Sequence, residues 1–167
     1  MSAPSAPDFA VSHEFALPPE RLFKLWTQTD HLRKWWGPQG FKVTTCTLDL
    51  WEGGALHYCL MSPQQQEMWG KFTYREIKAP RRLVFISSFS NRAGAITRHP
   101  LSATWPLETL TSIDFEPVGD SRTRLDIRAV PINTTPEEDS TFASAMASLN
   151  MGWRGTFAQL ESYIASL

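Results

Sequence analysis

The 167-residue chain sets 16 Lys and Arg against 17 Asp and Glu, a formal charge of −1, without runs of either sign. Nothing in that balance attracts nucleic acid or an anionic membrane. Its apolar runs are too short to insert in a bilayer, the N-terminus lacks a charged-then-apolar signal pattern, and the length suits one cytoplasmic domain that buries most of its unfolded surface.

The opening Ser2-Ala3-Pro4-Ser5-Ala6-Pro7 is a tail disordered by composition, so residues 1–7 are set apart from a single domain over 8–167. Phe9, Val11, His13 and Phe15 alternate with Ala10, Ser12 and Glu14, the period of a half-buried strand. Pro18-Pro19-Glu20 starts a helix whose apolar side is Leu22, Phe23, Leu25 and Trp26. A second, short helix opens with Asp30 as its expected N-cap and is stopped by Gly37-Pro38. Trp35 and Trp36 fall on its last turn, where only one of the two shares the direction of Leu32.

From Phe41 to Val130 the pattern is strand after strand, joined by short polar turns into an antiparallel meander. The strands run over 41–50, 56–61, 68–77, 83–86, 110–116 and 123–130. The Trp51-Glu52-Gly53-Gly54 turn, closed about its middle, would set Cys46 opposite Cys59. Adjacent antiparallel positions rarely suit a bridge, and free thiols are expected. Residues 90–108 are too long for a tight hairpin, while Trp105 and two prolines argue against disorder. Thr135, Pro136 and Glu138 form a capping box with proline inside it. One long helix follows, with Phe142, Met146, Leu149, Trp153, Phe157, Leu160 and Ile164 along one stripe and Gly152 beside it.

The expected fold is therefore α+β: a seven-stranded curved antiparallel sheet around a long C-terminal helix, with two short helices between the first and second strands. Such an arrangement need not fill the space it encloses, and its mouth is a common place for a ligand cavity.

Glu20-Arg21-Leu22-Phe23 with Trp26-Thr27, His31-Leu32 and Trp35-Trp36-Gly37-Pro38 are followed by Asp49-Leu50, Gly53-Gly54, Tyr74-Arg75-Glu76-Ile77, Pro80 and Arg82-Leu83-Val84-Phe85. Gly152-Trp153 and Leu160 complete the series. In order and spacing, over residues 8–166, this resembles the family named for the C-terminal domain of the activator of heat-shock protein 90 ATPase. That family belongs to the START-like superfamily with its helix-grip fold. The resemblance implies a hydrophobic cavity between the C-terminal helix and the sheet. Relatives in the superfamily carry lipids, hormones or polyketides there, and a few are cyclases.

Candidate cavity residues are the aromatics Trp35, Trp36, Trp105 and Trp153 with Met146 and Leu149 on the last helix. From strand alternation Leu56, Tyr58, Leu60, Phe72, Phe85, Ser87 and Phe89 join them. Ser87 and Tyr58 bring hydroxyls that need partners when buried. Arg98 beside His99 in the 90–108 segment has the chemistry to meet a carboxylate or polarise a carbonyl. His13, His31 and His57 are dispersed with no metal-ligand spacing. There is no Gly-x-Ser-x-Gly elbow and no glycine-rich phosphate loop. No cofactor is expected.

The leading expectation is a binding protein for a small apolar or aromatic ligand. A cyclase or aromatase working in the same cavity is the alternative. A chaperone-associated stress protein ranks third, because the outward parity (Thr44, Lys71, Thr73, Arg75, Asp114, Arg124, Asp126 and Arg128) reads as solvated sheet. Exposed sheet edges leave monomer and homodimer open.

Overall fold

The computed structural model describes residues 7–167; most of the tail read from the sequence lies outside the described residues. In chain order the elements are β1 (Phe9–Phe15), α1 (Pro19–Thr27), α2 (Thr29–Trp35), β2 (Lys42–Leu48), β3 (Ala55–Met61) and β4 (Glu67–Lys78). Then come β5 (Arg82–Ser90), β6 (Ile96–Thr97), β7 (Glu108–Val118), β8 (Arg122–Ile132), α3 (Pro136–Ser144) and α4 (Met146–Ala165). The sheet is antiparallel in the order β1-β8-β7-β5-β4-β3-β2. The expected seven strands are all there. The short β6 adds to them, pairing the far end of β5 at Phe89 and Ser90, beyond the reach of β7.

Alternation sorts the sheet into two faces. Phe15, Leu56, Phe72, Phe85, Ile113, Phe115, Leu125 and Ile127 are buried under the helices. The opposite face carries charge: Arg82 forks onto both Asp114 oxygens at 2.7 and 2.8 Å and reaches Glu76 at 3.0 Å. At the heart of the core the rings of Phe72 and Phe85 stack at 4.0 Å.

Three local readings need correction. The N-cap of α2 is Gln28, in extended conformation, and Asp30 sits inside the first turn without capping it. Gln28 is also the C-cap of α1. A single extended residue therefore serves both helices, and nothing is left for a separate cap. Second, both tryptophans turn inward. The helix ends at Trp35, and Trp36 is already extended ahead of Gly37, whose φ of +108° a residue with a side chain rarely adopts. Helical phase no longer constrains Trp36.

Third, the C-terminal stripe is two helices. The Ser144 hydroxyl donates to the Thr141 carbonyl at 2.8 Å, the acceptor that the Ala145 N–H would take in a continuous helix. Ala145 bonds Phe142 instead, at 3.0 Å, and the chain bends there. The capping box at Thr135 is formed as read. The register offset places Cys46 opposite Tyr58 and Cys59 opposite Thr45; both thiols are buried and free.

Candidate functional site

Along each central strand the inward side chains change in size from one end to the other. β4 passes from Tyr74 and Phe72 to Gly70, and β5 narrows from Phe85 to Ser87 before Phe89 closes its end. β7 passes from Phe115 and Ile113 to Thr111 and Thr109, and β8 from Leu125 and Ile127 to Ala129. Register brings small residues side by side: Ser87 lies opposite Thr109 and Thr111 opposite Ala129, while Gly70 on the next strand lies opposite Phe89. The helices cannot approach closely enough to fill the difference, and a cavity of about 240 Å³ remains. For scale, an apolar cavity of about 150 Å³ accepts benzene.

The floor of this cavity is Phe9, Tyr58, Met68 to Gly70, Ser87 to Phe89, Thr109, Thr111 and Ala129; its roof is Trp105, Pro106, Phe142, Leu149 and Trp153. Tyr58 faces Gly70 across the strand pair, its ring lying where a side chain at 70 would have to go. Burial pushes the Tyr58 phenol above its ordinary value, so at neutral pH it remains an O–H donor.

Beside this space lies a second of about 190 Å³, between Trp36 and Pro38 on one side and Ser148, Leu149, Gly152, Trp153 and Thr156 of α4 on the other. Leu149 and Trp153 wall both. Around them is an aromatic cluster: Trp36 meets Tyr58 at 5.6 Å, Phe72 at 5.4 Å, Trp26 at 5.9 Å and Trp153 at 6.1 Å. Most of these contacts are edge-on, the geometry ring quadrupoles favour. The indole N–H groups of Trp26 and Trp36 are buried without a hydrogen-bond partner, whereas that of Trp35 donates to the Leu25 carbonyl at 3.0 Å.

Of the sequence candidates, Tyr58, Ser87, Phe89, Trp105, Leu149 and Trp153 line the larger cavity, and Trp36 lines the smaller. Trp35, Leu56, Leu60, Phe72 and Phe85 are buried in the protein interior and line neither of these two spaces. Met146 packs against the core at the start of α4. Arg98 and His99 are engaged elsewhere. Arg98 pairs with Glu138 at the head of α3 and reaches the Trp105 carbonyl at 3.3 Å. The His99 ring packs on Phe89 at 4.6 Å, and its Nδ1 accepts the Leu101 N–H at 2.9 Å. Burial holds the His99 imidazole below its ordinary value of 6.5. The pair therefore ties down the roof: Arg98–Glu138, Thr104 against Thr141 at 2.8 Å, and Trp105 against Phe142 at 5.4 Å join residues 98–106 to α3.

Sequence reasoning passed over the small positions Gly70, Ser88, Thr109, Thr111 and Ala129 and the larger Phe9, Met68, Trp69, Pro106 and Phe142. The signal of Gly70, Thr109, Thr111 and Ala129 was present as reduced volume at inward positions, readable only once the strands are aligned.

Residues 16–165 match the family described as Activator of Hsp90 ATPase homolog 1-like protein. No curated protein matches the chain. Among solved structures, that of a protein from Arthrobacter aurescens is 25% identical with a TM-score of 0.79, covering 97% of this chain and 88% of that one. One from Rhodobacter sphaeroides is 22% identical at 0.73, covering 99% and 97%. The AHSA1 protein of Silicibacter pomeroyi is 20% identical at 0.71, covering 95% and 98%. These likenesses carry the helix-grip fold across the described residues.

Proposed function

The chain belongs to the Activator of Hsp90 ATPase homolog 1-like family, and from that premise we propose that it binds a small apolar or aromatic ligand in the cavity between its C-terminal helices and the sheet. The observation that carries this is the graded side-chain size, which leaves about 240 Å³ between the sheet and the helices. Interiors of this size normally hold few voids larger than a water molecule, so a lined space of several times that volume calls for an occupant. Among the described residues that line it, Tyr58 is the sole titratable group, and burial keeps its phenol protonated. That composition suits holding a ligand better than acid–base catalysis, which needs a group titrating near the working pH.

The test is titration with N-phenyl-1-naphthylamine, a neutral fluorophore, alongside mass spectrometry of the undenatured protein. Saturable binding is expected, together with at least tenfold weakening in Ala129→Leu, whose added side chain enters the cavity. That variant should melt no lower than the parent, since cavity filling commonly stabilises. An unliganded mass combined with no binding of the fluorophore overturns the reading.

A further inference from the structure

A third concavity, of about 250 Å³, opens where Trp36 and Phe41 meet Gln159 of α4, and it is lined by Arg33, Lys34 and Lys42. The last turn of α2 supplies Arg33 and Lys34; Lys42 begins β2. The negative end of the α2 dipole accounts for a cation at the first two positions. It does not account for Lys42, which the Gly37–Gly40 turn brings to the same groove from another element. No carboxylate lines the groove. None of the ion pairs among the described residues involves these three cations. Arg33 donates only to the Cys46 carbonyl, at 2.9 Å. Three like charges around one depression repel, and an anion placed among them relieves that repulsion.

This groove adjoins the 190 Å³ space, with Trp36 as their common wall, and that space in turn shares Leu149 and Trp153 with the larger cavity. Gly152, Thr156 and Gln159 step along one face of α4 at spacings of four and three residues, the first two beside that space and the third beside the groove. Trp36, with its unpartnered N–H, stands between the charged and apolar parts.

Building on the cavity reading above, we infer that the ligand is an anionic amphiphile. Its carboxylate or phosphate head is held by Arg33, Lys34 and Lys42, and its apolar body passes Trp36 into the interior. The two kinds of head share one chemistry, negatively charged oxygens that accept hydrogen bonds from cations.

The experiment measures binding of dodecanoate, dodecyl phosphate, dodecanol and dodecylamine to the full chain and to a Lys34→Gln/Lys42→Gln variant, in which Arg33 keeps its bond to Cys46. At least one anionic probe should bind tenfold or more tighter than dodecanol, and the tighter of the two identifies the head. The preference should fall several-fold in the variant and shrink as salt is raised, while dodecanol affinity stays unchanged. Equal binding of dodecanol, binding of dodecylamine as tight as the anions, or an unchanged preference in the variant overturns the inference and leaves the cavity reading standing. Failure of all four probes overturns the inference, and the N-phenyl-1-naphthylamine titration decides whether the cavity reading falls with it.

Discussion

Gly70 shows how one residue shapes the interior. It sits mid-strand, where glycine ordinarily weakens a sheet. Here its missing side chain makes room for the Tyr58 ring, which lies across it in the neighbouring strand. Gly70→Ala would drive a methyl group into the Tyr58 phenol, and overpacking of this kind costs about 1–3 kcal/mol. Urea unfolding should report that loss. Most of that loss should vanish when Gly70→Ala is measured in a Tyr58→Ala background, because the two effects are coupled through one contact. A full, additive loss in the double variant would mean that the clash is not what makes Gly70 necessary. The unpartnered N–H of Trp36, which walls the smaller space, points the same way at this scale: an unpaired buried donor costs roughly 1–3 kcal/mol, and a bound acceptor would offset it.

At the scale of elements, the roof is held by α3 and the segment that crosses it. Glu138 joins the two: one oxygen accepts the Thr135 N–H at 3.0 Å to close the capping box, and the other takes Arg98. The Thr135 backbone N–H, followed by Arg98, holds the Glu138 carboxyl below its ordinary value of 4.5. A depressed carboxyl contributes stability that is complete above its unfolded value and is lost as pH falls through the folded one. Glu138→Gln keeps the capping geometry without the charge. The melting-temperature gap between parent and variant should therefore be widest near pH 7 and close progressively below about pH 4.5; a gap independent of pH would deny the carboxylate this role. Most elements were legible because period-2 and helical patterns report on single strands and helices. The bend at Ala145 was not, since it arises from the Ser144 hydroxyl competing for one carbonyl, an event that leaves the apolar stripe intact. Gln28 as a cap shared by two helices escaped for a similar reason: Asp30 is the better capping residue in isolation, but α1 ends one residue before α2 begins.

For the whole molecule, an occupied interior should change global stability. A ligand that binds only the folded state adds about 2.7 kcal/mol at a hundredfold excess over its Kd. For a chain of this length that corresponds to a rise of roughly 5–10 °C in Tm, and N-phenyl-1-naphthylamine should produce it in the parent and not in Ala129→Leu. The sequence made the bulky part of the site legible and left its small positions unread. Bulky residues such as Trp105 and Trp153 advertise a wall, but a cavity is made by what is missing, and Thr109, Thr111 and Ala129 look ordinary until register sets them side by side. The gradient of side-chain size along the strands has a consequence for descent. Because the backbone stays the same while a few inward positions set the free space, exchanging one small residue for another re-shapes the chamber without asking the fold to change. Lineages that keep this scaffold at 20–25% identity can therefore differ in the shape of that chamber by single codons, which leaves the chamber free to change faster than the architecture.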